Sequence, residues 1–171
     1  LAAAGFGAGT PLRVELVTRA FPVYVDLASF VVDQLRQVGI DATVKQIETA
    51  QWFPALVRRD YQVGANLTAA GIDDADAFFY ENYRCGASRN YTDYCSEEVD
   101  RLIDQQSQEL DRGRRLKLVG DVQRRLEADV ARPMLGWRKE YFTQWPHVRN
   151  LVPHHSLYNY ARMQEVWLDR P

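Results

Sequence analysis

Asp73, Asp74 and Asp76 put three carboxylates just ahead of the run AFFYENY. Carboxylates this close raise one another's pKa unless a cation or a helix N-terminus compensates. The run therefore reads either as a cation-binding group or, with Asp74 and Asp76, as the cap of a short helix. The second constellation is RCGASRNYTDYC, which holds both cysteines, Cys85 and Cys95. Two cysteines do not make a structural zinc site, and His147, His154 and His155 lie too far along the chain to complete one. The pair is either a disulfide, which places the chain outside a reducing cytosol, or two unrelated thiols. The basic set Arg112, Arg114, Arg115, Lys117, Arg124 and Arg125 alternates with leucines and is offset by Asp121, Glu127 and Asp129, so it reads as a solvated helix face. Trp52 and Tyr91 are singled out from the other aromatics as ligand-stacking candidates, because they are expected to sit in loops after a strand. His154 and His155 read either as a metal pair or a base or, since adjacent side chains in a polar tail usually point opposite ways, as two unrelated residues, and the second reading is preferred. No nucleophile elbow, glycine-rich phosphate loop or HExxH run is present, so an enzyme has little support and no cofactor is expected.

The elements that must position these groups follow from periodicity. Over 171 residues the composition is 46% hydrophobic and 26% charged, which suits one globular domain. A net charge of -2 gives no general reason to bind nucleic acid. LRVELVTR, from Leu12, alternates as a strand. Leu27, Phe30, Val31, Leu35 and Val38 recur at helical spacing and stop at Gly39, and IDATVKQI alternates again, which together make a βαβ unit. Thr49 opens a second helix that carries Pro54, and YQVGANLTAAG reads as a strand ending at Gly71. Ser96 caps a helix with the stripe Val99, Leu102, Ile103 and Leu110. Asp111 opens another with Leu116, Val119, Leu126 and Val130 facing inward. PMLGWRKEYF reads as a late strand. The opening LAAAGFGAGTP reads as the last turn of a helix ended by Gly5, as in a chain cut from something larger.

Several blocks resemble one family in the same order. NYTDYCSEEVDRLI, Asn90 to Ile103, is similar to the NYSGYCNPEVDxLI-type segment of the family 5 solute-binding proteins of ABC importers, the dipeptide-, oligopeptide- and nickel-binding group. LRVELVTRAFPVYVDLASFVVDQLRQVGIDATVKQIE resembles its strand, helix, strand block. DRGRRLKLVGDVQRRLEADVARPML resembles its DPAKRxxLYxxxQxxLxxDxPxxPL block, and YNYARMQEVWLD a frequent ending. LTAAGIDDADAFF matches the DPDNFF part of a further signature at Asp74, Asp76, Phe78 and Phe79. It departs from that signature at Ala75 and Ala77. It also has Thr68 where the family has tryptophan, and Gly71 where peptide binders carry the aspartate that meets a peptide's ammonium group.

The resemblance implies an α/β fold of the periplasmic-binding-protein type II, cluster C kind, with a mixed sheet, a βαβ core and flanking helices. It implies a single C-terminal ligand-binding lobe over residues 1–171, with 146–171 a tail packing towards a missing lobe, and a Cys85–Cys95 disulfide pinning a loop beside the cleft. The protein would be a periplasmic or membrane-associated extracellular monomer whose partners are a small-molecule or peptide ligand and an ABC permease, not nucleic acid. Thr68, Ala69, Ala70 and Gly71 would give main-chain contacts. Asp73 and Asp74 would take a cationic group, Arg84 or Arg89 a carboxylate, and Asn90, Tyr91 and Trp52 further side-chain contacts. The rival readings are a metal-dependent enzyme using the three aspartates and a structural interaction domain.

Overall fold

A computed structural model describes residues 1–7, 9–68, 71–72, 74–139, 141–153 and 163–169. The chain forms two compact units, Leu1–Thr68 and Ala69–Pro171.

The first unit is a βαβ core extended by one short strand. Strand β1 (Leu12–Arg19) runs parallel to β2 (Ile40–Ile47), in register from Leu12 opposite Ile40 to Arg19 opposite Ile47. Helix α1 (Pro22–Gln37) joins them. Pro22 opens α1 with its φ already helical, and Gly39, at φ 85°, turns the chain into β2. The buried stripe of α1 is Ala28 and Val32, flanked by Val31 and Leu35, against Leu16, Ala42 and Ala65. Small residues on both sides let helix and sheet approach closely. Phe30 and Val38, expected on that stripe, are exposed. Phe30 is two residues from Ala28, about 200° around the helix, so burying one turns the other out.

Helix α2 (Thr49–Arg58) leads to β3 (Val63–Gly64), which completes the parallel order β2-β1-β3. The strand expected over 61–71 thus pairs, among the described residues, at two positions, Val63 with Leu16 and Gly64 with Val17. Side chains close the ladder at both ends. Gln62 Oε1 accepts the Glu15 amide at 3.0 Å before it, and Thr18 Oγ1 donates to the Ala65 carbonyl at 3.0 Å after it. Backbone groups satisfied in this way have no need of further strand.

The second unit is helical. Helices α3 (Ala75–Asn82), α4 (Glu97–Gln108) and α5 (Arg112–Ala128) enclose Phe79, Tyr83, Val99, Ile103, Val122, Leu126 and Ala131. Ser96 caps α4 through the Val99 amide, and Asp111 caps α5 through the Arg114 amide, as their sequences imply. Leu110 falls beyond α4 and is exposed, and the stripe continues at the fully buried Gln106 instead. On α5 the inward face runs Val119, Val122, Leu126, with Arg115 at its head. Leu116 is turned outward, and so is Val130, which leaves the helix at φ 51°. The late strand expected in PMLGWRKEYF has no ladder among the described residues, and Met134, Leu135, Trp137 and Tyr141 are exposed. An antiparallel pair forms between β4 (Val148–Arg149) and β5 (Trp167–Leu168), tied by Arg149 and Asp169 at 2.8 Å. His154 and His155 lie outside the described residues. Among the described residues no helix is long and apolar enough to cross a membrane.

The α4–α5 turn carries a pH-dependent lock. Glu109 accepts Arg114 Nε at 2.9 Å and Nη2 at 3.0 Å, and the Asp111 amide at 2.8 Å. The Arg114 guanidinium, aided by that amide, lowers the Glu109 carboxyl from 4.5 to about 2. A depressed folded-state pKa contributes stability above the unfolded value and loses it as pH falls through the folded one. Urea midpoints of Glu109→Gln and the parent, compared across that acid range, should therefore converge at the acid end and differ most at neutral pH.

Candidate functional site

The disulfide loop is built around one buried amide. Cys85 and Cys95 are bonded, with Cα atoms 4.6 Å apart. Between them Asn90, 5% exposed, donates through Nδ2 to the Arg84 carbonyl at 3.0 Å and the Tyr94 carbonyl at 2.6 Å, and accepts from Thr92. The Cys85 amide donates to Asp100 on α4 at 3.1 Å. Asn90 therefore spans the loop from inside. Arg132, which the sequence reading did not single out, braces the same loop: it donates to Asn82 and to the Arg89 carbonyl and lies 5.2 Å over the Tyr83 ring.

The described charged candidates of this unit, Asp74, Arg84 and Arg89, are already partnered. Arg84 meets both oxygens of Asp104, at 2.7 and 3.3 Å, over the Tyr80 ring, whose hydroxyl also donates to Asp104. The Tyr80 hydrogen bond, then the Arg84 charge, hold the Asp104 carboxyl below the usual carboxylate range. Arg89 pairs with Glu81 at 3.4 Å on the surface, and Tyr91 is half-buried. Asp74 caps α3 through the Asp76 amide at 2.8 Å and is gripped at both oxygens by Arg115, at 2.5 and 2.9 Å. Arg115 is the main cause that keeps the Asp74 carboxyl ionised to unusually low pH. Asp73, Ala69 and Ala70 lie outside the described residues, while Thr68 is exposed and Gly71 half-buried. Among the described residues no cluster of three or more histidine, cysteine or acidic side chains could hold a metal ion.

Trp52 corrects the sequence reading. It lies inside α2 rather than in a loop, is 1% exposed, and packs its ring edge by Gly64, where an added Cβ would stand 3.7 Å away. No ring face is open for a ligand.

The residue that reading missed is Arg19. It ends β1, the central strand, and the chain runs from β1 to β2 on one side and later to β3 on the other. That reversal is a topological switch point, and ligands of open parallel sheets bind outside the carboxyl ends of the strands there. The Arg19 guanidinium lies 4.7 Å from the Tyr24 ring centroid, 5.5 Å from Phe21 and 5.9 Å from Phe53. It donates to Tyr24 Oη at 2.8 Å and to Thr49 Oγ1 at 3.1 and 3.3 Å. All of these partners are neutral. Among the described residues no carboxylate pairs with Arg19, and Phe21 and Phe53 are about half exposed. An unneutralised guanidinium framed by open aromatic edges is suited to an anionic group attached to apolar surface. A cation closing a strand of a βαβ unit, directly before the Phe21-Pro22 helix start, was the available signal.

No protein-family profile matches this chain, and no curated protein does. Solved structures do. OppA of Burkholderia pseudomallei matches at TM-score 0.69 and 27% identity over 77% of this chain and 26% of its own. NikA from Staphylococcus aureus, in complex with Ni(L-His)2, matches at 0.68 and 22% identity over 76% and 28%. The oligopeptide-binding protein AppA from Bacillus subtilis, in complex with a nonapeptide, matches at 0.71 and 16% identity over 95% and 33%. The chain thus has an α/β fold of the periplasmic-binding-protein type II class, with a parallel sheet flanked by helices. The likeness to OppA, at 27% identity, agrees with the resemblance of its sequence blocks to the family 5 solute-binding proteins. It spans about a quarter to a third of the length of the proteins it matches.

Proposed function

We propose that this chain is one ligand-binding lobe of the solute-binding component of an ABC importer, and that its solute carries a carboxylate beside apolar or aromatic surface, as a peptide or peptide-like compound does. The solute is held in a cleft between two lobes and passed unchanged to a membrane permease, outside the cytoplasm. The observation that carries this reading is Arg19, a cation without a carboxylate partner among the described residues, at the switch point of a parallel sheet and framed by Phe21, Tyr24 and Phe53. Thr68 supplies a main-chain contact to an extended solute.

Thermal shift against short peptides, opines, oligosaccharides and nickel chelates tests it, because a solute that binds only the folded state raises the midpoint. Carboxylate-bearing peptides or opines are expected to raise it, and neutral oligosaccharides to leave it unmoved. Arg19→Ala should weaken the active solute by roughly tenfold or more, the worth of a charge-assisted hydrogen bond, without lowering the ligand-free midpoint comparably. A shift from sugars alone, or one indifferent to Arg19→Ala, would sink the assignment.

A further inference from the structure

The carboxyl end of the parallel sheet gathers neutral groups round Arg19. Arg19 closes β1 opposite Ile47 of β2, and the Ala20 amide donates to the Ile47 carbonyl at 2.9 Å, so the chain that leaves β2 starts α2 beside the guanidinium. Thr49 is the first residue of α2, and Phe53 stands one turn later on the same face. Tyr24 comes from the first turn of α1. The Thr49 hydroxyl serves Arg19 across the sheet end, and the N-cap of α2, Glu48, makes no side-chain cap bond. An arginine has five N–H donors in a fixed plane and no acceptor. Thr49 Oγ1 accepts Nε at 3.3 Å and Nη2 at 3.1 Å, the two donors that share one edge of that plane, and Tyr24 Oη accepts one donor of Nη1 at 2.8 Å. Among the described residues, one N–H on each terminal nitrogen is left without an acceptor. A single hydroxyl oxygen thus shuts the side edge, and an anion has to approach from the terminal nitrogens. Both acceptors are uncharged, so they fix the side chain without neutralising it.

We propose that Thr49 is a positioning residue of solute capture: by taking the side edge of the Arg19 guanidinium with an uncharged oxygen, it presents the terminal nitrogens, undiminished in charge, to the carboxylate of the solute. The inference rests on the solute-binding reading above and deepens it. It sets two requirements at position 49, an acceptor to hold Arg19 and no charge to neutralise it. Valine lacks the first, aspartate breaks the second, and serine meets both.

The test uses this chain and hydrocinnamate, a carboxylate on a short tether to one aromatic ring, small enough to be held by Arg19 with Phe21 and Phe53 alone. NMR follows its binding and also reads the Arg19 Nε–H directly. Without ligand, Thr49→Val should move the Nε–H resonance towards that of a free arginine and speed its exchange with water, and Thr49→Ser should keep both as they are. Thr49→Val should weaken hydrocinnamate by about two- to tenfold, the cost of ordering a freed long side chain on binding, and Thr49→Ser should restore it. Thr49→Asp should weaken it by about tenfold or more, the scale of a charge-assisted hydrogen bond, without lowering the ligand-free melting midpoint, because an acid suits the first turn of a helix. Binding that is lost in Arg19→Ala yet unchanged in Thr49→Val and Thr49→Asp overturns this inference alone, and so does an Nε–H resonance indifferent to Thr49→Val. Binding that survives Arg19→Ala, or no binding to the unaltered protein, overturns carboxylate capture at Arg19 and this inference with it.

Discussion

Trp52→Ala should destabilise the protein by about 3–5 kcal/mol, the usual cost of emptying a large aromatic site in a packed core. The ring is 1% exposed and lies against β3 beside Gly64 and Tyr61, so its removal leaves a void under the short strand that ends the sheet. Trp52→Phe should cost much less than the lost ring volume implies. The indole nitrogen is buried without a hydrogen-bond partner, and phenylalanine removes that penalty of about 1–3 kcal/mol along with the second ring. Urea unfolding followed by circular dichroism reads both variants. Small, equal effects would mean that the ring is not core, and would reopen a ligand-stacking role for it.

Opening the disulfide should have the next largest effect. Cys85 and Cys95 close a loop of 11 residues, counting both ends, and in the chain-entropy model such a link stabilises by about 2.8 kcal/mol. For a unit of roughly this size that corresponds to a fall in melting midpoint of about 10–20 °C. The Cys85→Ser/Cys95→Ser double variant should nevertheless keep a folded loop. Asn90 still bridges the Arg84 and Tyr94 carbonyls, and the Cys85 amide still meets Asp100. Calorimetry measures the fall. Amide exchange across residues 84–95 tests the second half, and complete loss of protection there would show that the loop depends on the covalent link rather than on its buried asparagine.

How much of this was legible beforehand differs from element to element. The βαβ unit was legible, because alternation at Leu12–Arg19 and Ile40–Ile47, a helical period between them and Gly39 at the joint are local signals that each specify one conformation. The caps at Ser96 and Asp111 were legible for the same reason, and Asp74 was foreseen in its capping role as one of two alternatives. The length of β3 was not legible. Periodicity does not show that the Gln62 and Thr18 side chains will intercept the backbone groups a longer ladder would use. The inward faces of α1, α4 and α5 were each misjudged by a few residues. Large apolar side chains such as Phe30, Leu110 and Leu116 look like core in sequence, whereas the packing selects Ala28 on α1, a buried polar Gln106 on α4 and Val122 on α5.

The candidate site divides in the same way. Residue types and order alone determined the fold class, the resemblance to family 5 solute-binding proteins and the loop holding the cysteines, since these depend on spacing along the chain. Tertiary structure alone decided which charges are free. Arg84 and Asp74 look available in sequence, yet they are held by Asp104 and Arg115, which lie 20 and 41 residues further on. Arg19 looks like any exposed strand residue, yet no carboxylate reaches it among the described residues, while Phe21, Tyr24 and Phe53 do. Whether a charge is spent inside the protein or left for a ligand depends on what folds against it within a few ångströms, and Coulomb attraction of that range carries no signature in local sequence.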